Sequence, residues 1–226
     1  PLLCKITDER RVQALVLTPT RELAIQIFKD LRKLDVAVKS VVLYGGVSLL
    51  PQTEDLENGS QIVIGTPGRV LDHLSRANLK LGATKFLVLD EADKMLDMGF
   101  IEDVSKIISQ TPSQRQTMLF SATMPPEIVK LSNRYLRNPE QLILSKDEIV
   151  VNKITQKCYG VGKNEKLSTL IKILKSKGVD KTIIFCNTKR WAESLGRILY
   201  NKGFRNLVIH SGLSQNQRNQ TMDMFK

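Results

Sequence analysis

Residues 86–93 read Phe-Leu-Val-Leu-Asp-Glu-Ala-Asp, an apolar run that ends abruptly in three carboxylates within four positions. The apolar part is too short and too sharply bounded for a core helix, so it predicts a buried strand over Phe86–Asp90. Open α/β sheets bind their ligands at the carboxyl ends of parallel strands. Carboxylates there can hold a hydrated Mg²⁺ and polarise a water for phosphoryl transfer. Taken alone, the stretch favours a solvated turn in which Asp93 is an ordinary first-turn acid.

Short apolar segments alternate with amphipathic segments along most of the chain, which favours an α/β fold with a parallel sheet covered on both faces. The predicted strands of the first part are Gln13–Leu17, Ser40–Leu43, Gln61–Gly65, Phe86–Asp90, Thr117–Ser121 and Leu142–Leu144. The second part is predicted to contain a helix through Leu167 and Leu174, a strand over Thr182–Cys186, a helix from about Lys189 to Asn201, a strand over Asn206–Ile209 and a helix after Ser214. We therefore expect two domains, residues 1–147 and 163–226, joined by a linker over residues 148–162.

The composition excludes several classes of protein. The three cysteines, Cys4, Cys158 and Cys186, are far apart, and with only two histidines they indicate neither a disulfide framework nor a zinc site. No apolar run approaches the ~20 residues that span a bilayer. Charge follows the first residues at once, so no signal peptide is indicated. We expect an intracellular protein of the reducing cytoplasm or nucleus, without a membrane partner.

The positive charge is concentrated in the last third of the chain. Residues 1–150 contain 19 basic and 19 acidic side chains, whereas residues 151–226 contain 15 basic and 4 acidic ones. This last part therefore carries the whole net charge of +11. Such asymmetry favours a polyanionic partner, although a solubilising surface has the same composition.

Three further motifs stand at the ends of predicted strands. Pro-Thr-Arg-Glu-Leu-Ala at residues 19–24 and Thr-Pro-Gly-Arg at residues 66–69 each open a helix. A helix N-terminus with a nearby arginine suits an anion, and two of them on one sheet edge could track successive phosphates. Gly45-Gly46 permits close backbone approach or a turn with positive φ. Each motif alone also fits a plain capped helix or a loop turn.

Ser-Ala-Thr at residues 121–123 ends the fifth predicted strand. If this strand lies beside the one that ends at Asp90, its hydroxyl groups could bond Asp93 and transmit a change at the acid cluster. The same residues could equally cap the next helix, and the two roles are compatible.

The order of these five motifs resembles the DEAD-box ATP-dependent RNA helicases. The resemblance continues in Ile-Ile-Phe-Cys-Asn-Thr at residues 183–188, His-Ser-Gly at 210–212 and Gln-Asn-Gln-Arg at 215–218, which are similar to segments of the family's second domain. It covers essentially the whole chain. It implies an α/β fold with two RecA-like, doubly wound parallel-sheet domains, both truncated.

The resemblance also implies roles for individual residues. Asp90 is expected to bind Mg²⁺ through water, and Glu91 to act on the attacking water as base or orienting group. Asp93, Ser121 and Thr123 are expected to couple the nucleotide state to domain closure. The implied contacts to the RNA backbone are Pro19, Thr20, Arg21, Gly46, Thr66, Gly68 and Arg69 in the first domain and Asn187, Thr188, Gly212, Gln215 and Arg218 in the second. The implied cofactors are ATP and Mg²⁺, and RNA binding should be sequence-independent and salt-sensitive; the sequence names no protein partner.

Two parts of such an ATPase do not occur in the 226 residues. No Gly-Lys-Thr or Gly-Lys-Ser supplies a phosphate loop, and no His-Arg-x-Gly-Arg supplies an arginine finger. We therefore expect an interior piece of a helicase core, cut on both sides, that alone hydrolyses ATP negligibly.

The sequence leaves other functions open. One is a catalytically silent module that binds RNA or a protein, and another is a DNA helicase of the same superfamily, although the Asp-Glu-Ala-Asp and Ser-Ala-Thr spellings favour RNA. A dinucleotide-binding enzyme is disfavoured because no GxGxxG follows a predicted strand.

Overall fold

The chain forms two compact units, Pro1–Gln141 and Leu142–Lys226. The structure, a computed structural model, describes residues 2–34, 37–144, 154–162, 164–176 and 179–225. The predicted domain boundary after residue 147 and the first part of the predicted linker, residues 148–153, lie outside the described residues.

The first unit is built from alternating strands and helices, as its sequence predicts. Its strands are β1 Ala14–Leu17, β2 Ser40–Leu43, β3 Ile62–Gly65, β4 Phe86–Leu89 and β5 Gln116–Leu119. Its helices are α1 Arg21–Arg32, α2 Leu50–Glu57, α3 Pro67–Ser75, α4 Ala92–Asp97, α5 Ile101–Ser109 and α6 Pro126–Tyr135, preceded by a 3₁₀ turn at Leu3–Lys5. The first five predicted strands are confirmed.

The five strands form one parallel sheet in the order β2-β3-β1-β4-β5. Leu17 at the end of β1 lies opposite Gly65 of β3 and Leu89 of β4, so neighbouring strands end level with one another. All five carboxyl ends therefore meet at one edge, which we call the carboxyl edge. The chain starts at central β1, fills one side of the sheet and then crosses to the other, which is the arrangement that places ligand sites at this edge.

Helices cover both faces of the sheet. Leu15 of β1 faces the larger core, which includes Val104 of α5 and Ile128 of α6. Its neighbour Ala14 faces the smaller core, which includes Ala24 of α1. Because successive strand residues point to opposite faces, a sheet covered on both sides needs apolar residues at nearly every strand position.

The second unit contains three helices among its described residues: α7 Lys166–Leu174, α8 Lys189–Asn201 and α9 Gln215–Phe225. All three are confirmed predictions. Helix α8 packs closely on the segment that follows it, because a Cβ added to Gly196 would lie 2.4 Å from Val208 Cγ2. Glycine is thus the residue that this close approach requires.

Three predicted strands are wrong. Leu142–Leu144, Thr182–Cys186 and Asn206–Ile209 are described in full, and none of their residues is in a strand. Leu144 is 97% exposed and Phe185 93% exposed, so these apolar side chains have not been covered. A strand needs a neighbour to pair with its backbone groups, and an isolated pair is marginal in water. An apolar pattern predicts a strand, but it does not show whether a neighbouring strand is present to pair with it.

Candidate functional site

The carboxyl edge of the first unit brings together every site residue predicted there. In the order of the sheet, the strands lead into Gly46 (β2), then Thr66, Gly68 and Arg69 (β3), then Pro19, Thr20 and Arg21 (β1), then Asp90, Glu91 and Asp93 (β4), then Ser121 and Thr123 (β5). The ends of β2, β3 and β1, which we call the basic half, carry the arginines. The ends of β4 and β5, the acidic half, carry the carboxylates and hydroxyl groups.

Two threonines begin the helices of the basic half. Thr20 caps α1, and its Oγ1 accepts a hydrogen bond of 3.3 Å from the backbone N–H of Leu23. Thr66 stands in the same position before α3, but its side chain makes no capping hydrogen bond. Pro19 is buried, whereas Gly68 is exposed in the first turn of α3.

Gly46 and Arg21 are in close contact. Gly46 has a φ of +84°, which favours glycine, and a Cβ built on it would lie 2.3 Å from Arg21 Nη1. The guanidinium of Arg21 therefore lies against the backbone of the loop after β2. Any larger residue at position 46 would displace this cation.

Arg69 is a partly buried cation with unused hydrogen-bonding capacity. Its Nη2 donates to the carbonyl of Val47 over 2.9 Å, while its Nη1 is buried and has no hydrogen-bond partner among the described residues. Burial lowers the pKa of Arg69, and the nearby charges of Arg21 and Arg76 lower it further against the opposing effect of Asp72. An unpaired guanidinium donor beside a second arginine suits an anion such as a phosphate.

Asp90 and Glu91 lie at the very end of β4. The backbone N–H of Asp90 donates to Leu17 O over 2.9 Å, and its Oδ1 accepts from the backbone N–H of Glu91 over 3.0 Å. Glu91 is exposed and left-handed, with φ 50° and ψ 52°, immediately before α4. A non-glycine residue in this conformation is strained, and such strain is concentrated at functional sites.

The carboxylate of Asp90 suits a hydrated Mg²⁺. No described residue bonds its Oδ2, and the described chain contains no group of three or more His, Cys, Asp or Glu side chains that could hold a metal by themselves. Mg²⁺ in phosphoryl-transfer sites is commonly bound by one or two carboxylates, with water and substrate phosphates as its other ligands. Asp90 fits this sparse type of site.

The carboxylate of Asp93, by contrast, is hydrogen-bonded within the protein through both of its oxygens. It is only 8% exposed, and its Oδ2 accepts from both the backbone N–H and the hydroxyl of Thr123, over 3.0 and 2.9 Å. Its Oδ1 accepts from the backbone N–H of Lys94, and its own N–H donates to Ser121 Oγ over 3.2 Å. Burial alone would raise the pKa of Asp93, but the hydrogen bonds from Thr123 and Lys94 outweigh it and hold that pKa below its ordinary value. The predicted proximity is confirmed, and Asp93 is not a solvated first-turn acid.

The predicted site residues of the second unit lie at the starts of its helices. Thr188 caps α8 by accepting from the backbone N–H of Trp191 over 3.2 Å, next to exposed Asn187. Gln215 is buried at the start of α9, where its Oε1 accepts from Arg218 Nη1 over 3.4 Å. Gly212 lies just before them and donates its N–H to His210 Nδ1 over 3.1 Å.

Comparison with family models decides the family of this chain. Residues 1–131 match the model described as DEAD/DEAH box helicase, and residues 165–226 match the helicase conserved C-terminal domain. The chain belongs to the DEAD/DEAH box helicase family.

Curated relatives of this DEAD/DEAH box chain are similar over almost its whole length. It is 40% identical to the ATP-dependent RNA helicase CshA of Limosilactobacillus reuteri over 222 residues, covering 97% of this chain and 45% of that protein. It is 41% identical to the ATP-dependent RNA helicase DbpA of Bacillus subtilis over 228 residues, covering 99% of this chain and 48% of that protein. The chain thus spans about half the length of these relatives.

A solved structure gives the same result. A DEAD box protein from the hyperthermophile Methanococcus jannaschii superposes with a TM-score of 0.62 at 38% identity, covering 100% of this chain and 61% of that one. The α/β fold and the resemblance to DEAD-box helicases are confirmed. Among the residues described, no helix is both long enough and apolar enough to cross a membrane.

Sequence analysis of this DEAD/DEAH box chain missed two buried polar residues behind the basic half. Gln52 of α2 and His73 of α3 are 6% and 0% exposed. A signal for Gln52 was present, because its helical spacing from Leu49 and Leu56 places a polar residue on an otherwise apolar face. No comparable sign in the sequence marks His73 as important, because its partner Gln52 is a neighbour only in the folded structure.

Proposed function

We propose that this chain is part of an ATP-dependent RNA helicase, in which RNA-stimulated ATP hydrolysis drives the unwinding of RNA duplexes or the remodelling of RNA–protein complexes. The observation that carries the proposal is the division of the carboxyl edge into two halves. One half carries Arg21 and Arg69, with Arg69 Nη1 unpaired among the described residues, and the other carries Asp90 and the exposed Glu91. A phosphate-binding surface and a hydrolytic site on one sheet edge are what such an enzyme requires. The names of the relatives, which are ATP-dependent RNA helicases, support it.

In the acidic half, we assign the chemistry to Asp90 and Glu91. Asp90 would hold a hydrated Mg²⁺, and the ion would supply positive charge to neutralise the nucleotide phosphates. Glu91 accepts a proton from the attacking water or orients it, and its exposure leaves the carboxylate free to do so. Asp93 contacts Ser121 and Thr123 instead. We therefore assign to these three residues the coupling of the nucleotide state to domain closure, through the segment after β5.

In the basic half, we assign RNA backbone contacts to Arg21 and Arg69, with Pro19, Thr20, Gly46, Thr66 and Gly68 beside them. Arg69 Nη1 is buried without a partner among the described residues, so the guanidinium would gain a hydrogen bond by turning towards a phosphate oxygen. We assign a second set of contacts to Asn187, Thr188, Gly212, Gln215 and Arg218, on the unit whose charge is most positive. Contacts to phosphate give binding that depends on salt and is independent of sequence.

We include in the proposal that the 226-residue polypeptide by itself turns over ATP negligibly. Its sequence contains no Gly-Lys-Thr or Gly-Lys-Ser to surround the phosphates. This feature favours the second candidate function, a silent RNA-binding or protein-binding module. The three free cysteines agree with a reducing compartment, the cytoplasm or the nucleus.

Phosphate release separates the two candidates. It is measured for the 226-residue polypeptide and for the product of the complete reading frame that contains it, each alone, with single-stranded RNA and with DNA of the same sequence. We expect turnover only in the longer product, stimulated by RNA and not by DNA. A longer product that binds RNA without RNA-stimulated turnover would establish the silent module, and stimulation by DNA would reassign the substrate.

A further inference from the structure

The loop after β2 rests on a buried polar pair, Gln52 of α2 and His73 of α3. Both side chains are almost wholly removed from water, at 6% and 0% exposure. Burying an amide and an imidazole costs free energy unless they form hydrogen bonds, and leucine or methionine would fill the same space without that cost. The pair therefore calls for an explanation other than packing.

Gln52 joins the two elements. Its Nε2 donates to the carbonyl of Tyr44 over 3.2 Å, and Tyr44 immediately precedes Gly45-Gly46. Its Oε1 lies 3.4 Å from His73 Nε2. Because an amide oxygen only accepts, the proton of the neutral His73 ring is on Nε2, and Nδ1 is buried without a partner among the described residues. The hydrogen bonds thus run in one direction, from His73 through Gln52 to Tyr44.

The loop is held at three successive points. Gln52 holds the carbonyl of Tyr44, Arg21 lies against Gly46, and Arg69 donates to the carbonyl of Val47. Two of these three side chains, those of Arg21 and Arg69, are proposed RNA contacts and have to turn towards a phosphate. Gln52 is buried and cannot touch RNA, so it can hold the loop while the arginines turn to the ligand.

We propose that Gln52 and His73 are positioning residues for RNA binding, fixing the Gly45-Gly46 loop so that Gly46, Arg21 and Arg69 are already arranged for the RNA backbone. The inference rests on the proposed function, because it presumes that these residues meet RNA. Its physical content is preorganisation: a loop ordered in advance loses less conformational freedom on binding. His73 acts through Gln52, whose amide it orients so that the N–H faces Tyr44.

The first measurement is the affinity of the 226-residue chain for a fluorescein-labelled oligouridylate, followed by anisotropy at low salt. We expect Gln52→Leu and His73→Leu each to weaken binding about fivefold, as for the loss of one hydrogen bond. His73→Gln keeps an N–H donor near the position of Nε2 and should recover most of the wild-type affinity. Gln26→Leu, the same substitution at an exposed position of α1, is the control and should bind like wild type.

The second measurement is amide hydrogen exchange. Positioning predicts faster exchange at residues 44–47 in Gln52→Leu and His73→Leu, with unchanged exchange in β1 and β4. If Gln52→Leu does not fold, Gln52→Met serves instead, because it keeps the unbranched shape, adds no charge and removes the donor to Tyr44.

Three outcomes would overturn the inference: Gln52→Leu binding RNA like wild type, His73→Gln binding as weakly as His73→Leu, or exchange rising throughout the sheet. Failure of the proposed function has a different signature. In that case wild type and Arg69→Ala would show the same RNA affinity, whereas exchange at residues 44–47 would still respond to Gln52→Leu.

Discussion

The basic and acidic halves of the carboxyl edge stand on strands of the same sheet, yet each divides its polar groups between structure and ligand in its own way. In the basic half, cations hold the loop after β2, and Arg69 Nη1 has no partner in the part of the chain that the structure describes. In the acidic half, both oxygens of Asp93 are bonded within the protein, while Glu91 is exposed. The basic half thus uses the same arginine for structure and ligand, whereas the acidic half assigns these tasks to different carboxylates.

This difference separates groups that stabilise the fold from groups that await a ligand. Substitution of a carboxylate in the acidic half should affect either turnover or stability, according to which residue is changed. Substitution in the basic half should affect both the loop and RNA binding at once.

The largest effect is expected for Glu91→Gln. Loss of a general base or of a water-orienting group lowers turnover by ~10²–10⁴-fold. We expect a fall of this size in the RNA-stimulated phosphate release of the product of the complete reading frame, with thermal stability unchanged. Glu102→Gln, an exposed acid in the first turn of α5, is the control. A Glu91→Gln protein with wild-type turnover would remove Glu91 from the chemistry.

Asp93→Ala should act on stability. It removes a buried carboxylate that accepts hydrogen bonds from Thr123 and Lys94, and the loss of hydrogen bonds to a charged group costs about 1.5–3 kcal/mol in the free energy of unfolding. Urea denaturation of the 226-residue chain measures it. Asp97→Ala, at an exposed position of the same helix, should change little. Equal effects of the two substitutions would contradict the structural role of Asp93.

Gly46→Ala should affect stability and RNA binding together. A positive φ costs an alanine about 1–2 kcal/mol, and the new Cβ would also displace the Arg21 guanidinium. Gly99→Ala is a matched control, because Gly99 has a φ of +75° with nothing within 4 Å of its added Cβ. Both variants should lose stability by a similar amount, and only Gly46→Ala should also lose RNA affinity. Loss of affinity in both would show that backbone strain alone accounts for it.

The smallest expected effects are changes in the free energy of unfolding at low pH. Burial lowers the pKa of His73, and the charges of Arg69 and Arg76 lower it further, whereas Asp72 raises it. The unfolded chain therefore takes up a proton more readily than the folded protein, and the free energy of unfolding falls as the pH drops below the ordinary histidine value of 6.5. The lowered pKa of Asp93 stabilises the fold above the ordinary carboxyl value of 3.8, and this contribution is lost as the pH falls through the folded-state pKa. In urea titrations over pH, His73→Gln should reduce the first loss and Asp93→Asn the second. If each variant followed the wild-type pH profile, the losses would belong to other groups.

Much of this fold could be predicted because its strands are one another's partners. The stretches at β1, β3 and β4 are apolar at nearly every position, which central parallel strands require. The same kind of pattern at Thr182–Cys186 gave a wrong prediction, because a strand also needs a neighbour and the pattern does not say whether one is present. Helices such as α8 were predicted well, since a helix satisfies its own backbone.

The sequence predicted which residues lie at the carboxyl edge, because this follows from residue type and from the position of strand ends. It did not predict their backbone conformations or their hydrogen-bond partners. Glu91 could be placed at the acidic cluster, but its left-handed backbone could not be read from its sequence neighbours. Asp93 had two interpretations until β5 was found beside β4. Gln52 and His73 were missed because their partners come from other elements, 8 and 21 residues away along the chain.

The salt dependence of RNA binding tests the division of the carboxyl edge most directly. The affinity of the 226-residue chain for single-stranded RNA is measured across a range of salt concentrations for wild type, Arg69→Ala and Glu91→Gln. Each phosphate contact contributes about 0.7 to the slope of log affinity against log salt for a single strand. We predict that Arg69→Ala weakens binding and reduces the slope by about this amount for its one contact, while Glu91→Gln leaves affinity and slope unchanged. Equal slopes for all three proteins, or a loss of slope in Glu91→Gln, would contradict it.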